Sequence, residues 1–317
     1  MKVLKRSLET NCDDPVTIHI LPDAHRNSLT DPVDEKPSRA TTNNNANMKI
    51  TASIAIGTVL AAASCFAQDK LVFKGSDTLG AKLVPQLTEA YTAAGNKVGF
   101  EIAAEGSSAA FSNLLAGTAD IGMSSRDAKA EEKDAFTAKG QELVEIIAGY
   151  DMLSVIVNKD NGVRDLTVKQ IEGIFTGDIT DWSEVGGAAG AISVYTRNTT
   201  SGTYKSFQEM AMDKRDYGNG TNKMAGNEQI ADEVANNKNG IGYVGLAYAD
   251  KDGLRSVKVE GEAAKPKNKD KYPLSRTLYY YTVGQPKGEA KKFLDWAATS
   301  DEAIKVINTI GFIFVEK

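Results

Sequence analysis

"VFKGSDTLGAKLV", residues 72–84, decides how this chain is read. It opens on apolar, strand-prone residues, is interrupted by Gly75-Ser76-Asp77-Thr78, and from Leu79 turns to helical spacing. Leu79, Leu83, Val84, Leu87, Ala90 and Tyr91 share one helical face, with Gly95 as the stop. Pro85 either kinks that helix or marks the first turn of its main body. A strand, a turn of glycine and small polar residues, then a helix is the repeating unit of an α/β protein.

The same alternation continues downstream. "KVGFEIAAEG" reads as a strand, and "SAAFSNLLAGTADIG" as a short helix ended at Gly117 that feeds another strand. "ELVEIIAGYDMLSVIVN" gives two strand-like runs with a turn between them, and "TVKQIEGIFTGDITDW" a helix closed by a glycine turn. "AISVYTRN" is a strand before the helix "TSGTYKSFQEMAM", and "NEQIADEVANNKNGIGYVGLAYA" a helix before a glycine-rich buried strand. "LSRTLYYYTV" is a strand whose tyrosines pack between two halves of the molecule, and two helices close the chain. Trp182 and Trp296 read as core or hinge packing, and the lysine-rich residues 260–273 as a solvated loop.

The first part of the chain does not join this pattern. Residues 1–47 hold Pro15, Pro22, Pro32, Pro37 and the tract "TTNNNAN" without apolar periodicity. "MKITASIAIGTVLAAASCFAQDK" then has one early lysine, a small-apolar run and a cut point after Ala67, the layout of a secretory signal peptide over residues 48–67. Met48 is therefore read as the initiator and residues 1–47 as a mis-called start, with a disordered extension as the alternative. Cys65, after Ala-Ala-Ser, leaves lipid attachment open.

The chain from Gln68 onward is 250 residues long, enough for one large domain or two small ones. Cys12, Cys65, His19 and His25 all precede it. Disulfides, histidine-dependent nucleophilic triads and histidine zinc sites are thereby excluded. No catalytic residue, metal site or cofactor is expected. From Gln68 the chain carries 30 Lys/Arg against 35 Asp/Glu, so its overall field does not attract nucleic acid or anionic membranes. An anion must be captured locally.

Four short segments are suited to that. Gly75-Ser76-Asp77-Thr78, Gly106-Ser107-Ser108 and Ser201-Gly202-Thr203 each stand at a predicted helix start, and Ser124-Ser125-Arg126 ends a predicted strand. Helix starts leave backbone N–H groups without intrahelical partners, and a polar side chain there is often only a cap. The same N–H groups and hydroxyls, with the positive end of the helix dipole, also suit a tetrahedral anion. Arg197 ends its strand four residues before Ser201 and offers a forked donor to the same ligand.

"GSDTL", "EGSSAAF", "ADIGMSSR" and "RNTTSGTYKSF", in this order, resemble the periplasmic phosphate-binding proteins of bacterial ABC transporters. "LTVKQIEGIFTGDITDWSEVGG", "NGIGYVGLAYA", "YPLSRTLYYYT" and "FLDWAATSDEAIKVINTIGFIFV" extend the resemblance over essentially the whole exported part. It implies a two-lobe α/β binding-protein fold of type II kind. Lobe I is then residues 68–150 with 279–317, lobe II residues 151–278, and "YDMLSVIVN" and "TLYYYTV" are the hinge crossings. It implies a monomeric, extracytoplasmic receptor that captures inorganic phosphate between the lobes and delivers it to the permease subunits. By the same resemblance Thr78 and the N–H of Leu79 donate from the first helix, Ser107 from the second, and Arg197, Ser201, Gly202 and Thr203 complete the cage.

Two positions depart from that family's pattern. Ser125 stands where many members have an aspartate that accepts the phosphate's proton, and Thr199 where many have a carboxylate that holds the arginine. Asp77 is the preferred replacement acceptor, with Asp127 as the alternative, and Arg126 is expected to add a second guanidinium. A receptor for sulfate or molybdate, a secreted phosphatase using Ser76 or Ser107, and a surface-adhesion protein remain alternative readings.

Overall fold

The computed structural model describes residues 70–314; the readings of residues 1–47, the signal segment 48–67 and Cys65 lie outside the described residues. In chain order its elements are β1 (Lys70–Gly75), α1 (Val84–Ala93), β2 (Gly99–Ala103), α2 (Ser107–Ala116), β3 (Ile121–Ser124), α3 (Ala130–Ala138), β4 (Leu143–Asn158), β5 (Asp165–Leu166) and α4 (Val168–Thr176). There follow β6 (Ser193–Arg197), α5 (Gly202–Ala211), β7 (Asn222–Met224), α6 (Asn227–Asn236), β8 (Gly240–Gly245), β9 (Leu254–Ser256), β10 (Lys258–Val259), β11 (Ser275–Val283), α7 (Gly288–Thr299) and α8 (Asp301–Thr309).

The strands run in the order β2-β1-β3-β11-β4-β8-β6-β7, with β9 also on β4, while β5 and β10 form a separate pair. β1, β2 and β3 are parallel to one another, as are β6, β7 and β8. Between these sets, β11 runs antiparallel to both β3 and β4, and β4 antiparallel to β8 and β9. The α/β class read from the sequence is the one observed.

β4 departs from the sequence reading. In place of two strands and a turn, it is one strand of 16 residues. Gly149 passes at φ +154°, where a Cβ would lie 3.0 Å from the Ile313 carbonyl oxygen. The register with β11 shifts between Leu278 and Tyr279. A bulge therefore absorbs the irregularity that the glycine signals. Leu143–Ile147 and Gly149–Met152 pair with β11, and Leu153–Val157 pair with β8, so β4 and β11 together join the two parallel sets.

The core is partitioned accordingly. Phe73, Leu83, Leu87, Tyr91, Tyr280 and Phe293 pack under α1, α7 and α8, and Phe111, Leu114, Phe136 and Tyr281 lie on the opposite face with α2 and α3. Around the second parallel set, Ile171, Phe175, Trp182, Phe207 and Tyr243 form one core, and Ile156, Ile230, Val234 and Tyr248 another. Each buried large apolar side chain contributes about 1.5–3 kcal/mol. Tyr280 and Tyr281 do not pack between halves as expected. Successive residues of a strand face opposite ways, so these two enter separate cores of the same half.

Three local features matter for the site. Leu79–Leu83 forms a π-helical turn ahead of α1, whose first turn contains Pro85. α3, which the sequence reading passed over, brings Glu132 to Arg126. The loop 260–273 is largely exposed, but Tyr272 anchors its end, donating its hydroxyl to the Leu153 carbonyl at 2.9 Å.

Candidate functional site

The four predicted segments meet. Ser76 follows β1, and its hydroxyl is in hydrogen-bond contact with the Ser125 hydroxyl. Ser107, at the start of α2, accepts the Ser125 N–H at 2.9 Å. That hydroxyl is engaged across the fold, while the residue in the capping position is Gly106. Thr78 and Thr203 place their hydroxyl oxygens 3.0 Å apart, although 125 residues separate them in the chain. Ser206 donates to the Ser125 carbonyl at 2.9 Å, and the Ser108 N–H to the Thr200 carbonyl at 3.2 Å. Ser201 caps α5, accepting the Tyr204 N–H at 3.2 Å.

Close approach sets the glycine requirement. A Cβ on Gly202 would lie 2.2 Å from Ser107 Oγ, and one on Gly75, at φ +132°, 2.2 Å from the Met123 carbonyl oxygen. Neither segment reaches its neighbour with a larger residue. The N–H groups of the first turns of α2 and α5 stand where a helix supplies no partner. Leu79, on the π turn, is fully buried.

Arg197 is the central charge and is 1% exposed. Its Nη2 donates to the Ala225 carbonyl at 2.7 Å, and its backbone N–H to the Tyr243 hydroxyl at 3.3 Å. Nη1 lies 3.0 Å from Asp77 Oδ1 as an ion pair, but off the line of a directed hydrogen bond, and Nε also lacks a hydrogen-bond partner. Burial pushes this guanidinium below its ordinary pKa, and Asp77 opposes that shift. Nε, and Nη1 beyond its off-line ion pair, thus keep capacity to donate to an anion.

Asp77 has a role different from the one expected. Its Oδ1 accepts from the Asn227 N–H at 2.9 Å and Asn227 Nδ2 at 2.6 Å while facing Arg197. It is thus the carboxylate that holds the arginine, the duty that Thr199 cannot perform. These contacts all fall on Oδ1. Asp127 lies with Arg126 on the wall of an adjoining polar groove of about 610 Å³.

Arg126 has its own set of partners. Its fork grips both Glu132 carboxylate oxygens at 2.7 Å, with Nη1 also donating to the Asp127 carbonyl and Nη2 to Ser108 Oγ at 3.3 Å. Ser124 donates to the Arg126 carbonyl at 2.7 Å and shapes the turn. The second guanidinium beside the hydroxyls is Arg276, on β11. Its Nη1 donates to Thr203 Oγ1 at 3.0 Å and to the Ser125 carbonyl at 3.4 Å, and its Nη2 to Thr78 Oγ1 at 3.4 Å. Asp151, fully buried on β4, receives Arg276 Nη2 at 2.7 Å and Nε at 3.2 Å. Asp151, Asn227 and Arg276 were missed in the sequence. The available signal was a charged residue inside each of two apolar strands, "YDMLSVIV" and "LSRTLYYY".

Among the described residues no cluster of histidine, cysteine or carboxylates is arranged to hold a metal. A larger cavity of about 690 Å³, lined by Ile147, Tyr280, Leu294 and Phe314, lies away from these donors and is mainly apolar. The donor array lies outside that cavity.

Known proteins of this architecture carry the comparison further. The PBP superfamily domain PBP_like_2 matches residues 60–302. The phosphate-binding protein PstS of Pseudomonas aeruginosa is 34% identical over 232 residues, 67% of this chain and 72% of that protein. PstS of Bacillus subtilis is 29% identical over 249 residues, 78% of this chain and 81% of its own. Among solved structures, a phosphate ABC transporter substrate-binding protein from Clostridium perfringens, with phosphate bound, superposes with a TM-score of 0.72 at 33% identity. It covers 78% of this chain, which spans 100% of it. An ABC-type phosphate transport receptor from Vibrio cholerae gives 0.63 at 27% identity, with 77% and 100% covered. In sequence and in fold, therefore, the chain belongs to the PstS family of phosphate-binding proteins, within the PBP superfamily.

Proposed function

We propose that this protein is an extracytoplasmic receptor that captures inorganic phosphate and delivers it to an ABC transporter permease. The observation that carries the reading is Arg197, buried with no hydrogen-bond partner at Nε and only the Asp77 ion pair at Nη1. Phosphate accepts from that fork, from the Thr78, Ser107, Ser201 and Thr203 hydroxyls, and from the Leu79, Gly202 and Thr203 N–H groups. Ser76, Ser108, Ser124, Ser125 and Arg126 shape the wall around it, and Asp77 holds Arg197. A hydrogen bond to a charged group is worth about 1.5–3 kcal/mol, so five or six such contacts reach the roughly 8 kcal/mol of micromolar binding.

The two lobes are residues 68–150 with 279–317, and 151–278, with β4 and β11 as the crossings. This division is supported by the two parallel strand sets and by cores that segregate on either side of those strands. The anion bridges the lobes, and its contacts to both supply the free energy of closure. The protein acts as a monomer exported by the segment 48–67, and it leaves its ligand chemically unchanged, as PstS proteins do.

A second oxyanion, sulfate or molybdate, is favoured by one observation: Asp77 and Asp151 both face guanidinium groups. Both oxygens of Asp151 and Oδ1 of Asp77 are already engaged. Calorimetric titration of the protein, stripped of bound anion, with phosphate, arsenate, sulfate and molybdate tests both readings. Heat with phosphate and arsenate at low micromolar concentration is expected; no heat with any of the four refutes the receptor.

A further inference from the structure

We infer that Arg276 is a positioning residue of the anion site: held by Asp151, it sets the Thr78 and Thr203 hydroxyls so that Thr203 is committed to donate to the ligand. The inference rests on the receptor reading above. Asp151 and Arg276 are register partners on β4 and β11, and they are 0% and 8% exposed. Asp151 Oδ2 takes Nε and Nη2 of the guanidinium, while its Oδ1 takes the Leu246 N–H at 3.0 Å. The carboxylate is thus fully engaged, and the plane of the fork is set from behind.

The front of the fork meets the two threonines. Thr78 Oγ1 accepts from Arg276 Nη2 at 3.4 Å and from Asn227 Nδ2 at 3.3 Å. A hydroxyl has two acceptor positions and one proton. With both acceptor positions of Thr78 taken, its proton goes to Thr203 Oγ1, 3.0 Å away. Thr203 Oγ1 thus accepts from Thr78 and from Arg276 Nη1 at 3.0 Å, and its own proton is left for the ligand. A cationic donor polarises each hydroxyl and strengthens its own donation. Arg276 also touches the Ser125 carbonyl, so one side chain on a crossing strand contacts site groups before α1, after β3 and on α5.

The consequence concerns protons on the ligand. A corner made only of donors suits an oxygen without a proton. Dihydrogen phosphate brings two protons, hydrogen phosphate one and sulfate none. The charged and titratable groups around Arg276 are Asp151 on β4, Asp77 and Tyr248 beyond Thr78, and Arg197 on β6. Arg126, Asp127, Lys129, Glu131, Lys205, Glu209 and Tyr279 line the same groove as Arg276. Arg276 therefore biases the site toward the less protonated anion.

The test is phosphate titration of the anion-free protein from pH 5.5 to 8.5, for the wild type, Arg276→Gln and Arg276→Lys, with thermal melts without ligand. The wild type is expected to weaken as phosphate gains its second proton. Arg276→Gln is expected to bind about 10- to 100-fold more weakly at the alkaline end. It is also expected to show a flatter pH profile, because the Thr203 hydroxyl, released from the fork, can then accept. Arg276→Lys keeps charge without the fork, and recovers part of the affinity but not the slope. Wild-type slope and affinity in Arg276→Gln overturn the inference while leaving the receptor reading intact; no phosphate binding by the wild type overturns the receptor reading itself. If Arg276→Gln does not fold, Arg276→Lys decides alone, and an unchanged slope in it overturns the inference.

Discussion

Replacing Asp77 with asparagine separates two roles for one carboxylate. In the structure Asp77 Oδ1 receives two donors from Asn227 and faces Arg197 Nη1 at 3.0 Å. Arg197 is 1% exposed, and Asp77 is the foremost group opposing the effect of its burial. Breaking a buried ion pair by removing one partner costs about 3–5 kcal/mol. The Asp77 side chain retains 12% exposure, which argues for the lower end of that range. At roughly 2–4 °C per kcal/mol for a chain of this size, about 3 kcal/mol becomes a fall of roughly 6–12 °C in the melting temperature. An anion replaces the missing counter-charge, so phosphate and sulfate should each raise the melting point of Asp77→Asn more than that of the wild type. Differential scanning calorimetry with and without each anion reads both effects. A proton acceptor predicts the opposite pattern: an unchanged melt without ligand and a gain in sulfate affinity alone. That result would refute the clamp.

Other expectations follow from the same geometry. Gly202→Ala places a methyl group 2.2 Å from Ser107 Oγ, and overpacking of about 1–3 kcal/mol should weaken phosphate binding roughly 5- to 150-fold by calorimetry. Ser107→Ala leaves the buried Ser125 N–H without its acceptor, and urea unfolding should show a loss of about 1–3 kcal/mol. Thr167→Ala removes a capping box from α4, distant from the anion site, and should cost about 1 kcal/mol in urea while leaving phosphate affinity unchanged. Arg215 and Lys169 hold the Glu172 carboxyl below the usual carboxylate range. Its contribution is therefore complete above the ordinary glutamate pKa of about 4.3 and disappears as the pH falls through the lowered value. Melting curves from pH 6 to 3 should fall more steeply for the wild type than for Arg215→Ala.

Local chemistry made much of the site legible. Gly75, Gly106 and Gly202 announce close approach, and the serines and threonines beside them announce helix starts, because both signals reside in a few adjacent residues. The roles of Asp77, Asp151 and Arg276 depend on partners from 120 to 125 residues away, which spacing alone does not pair. Arg126 misled because a guanidinium next to two serines reads as a ligand contact until α3 supplies Glu132. For the fold, the alternation of strand and helix was readable throughout. The continuity of β4 was not, since "AGY" looks like a turn and becomes a bulge only when β11 lies beside it.

That long strand also bears on the order in which the molecule can be assembled. β4 ends at Asn158, yet its partner along the first parallel set begins only at Ser275. The residues between them complete a sheet and cores of their own from neighbouring parts of the chain, with short loops to close. The half built on β1–β3 must instead wait for the last forty or so residues to leave the ribosome or translocation pore, and until then it exposes an open strand. A chaperone that recognises unfinished sheet edges should therefore engage the earliest-made segment for longest.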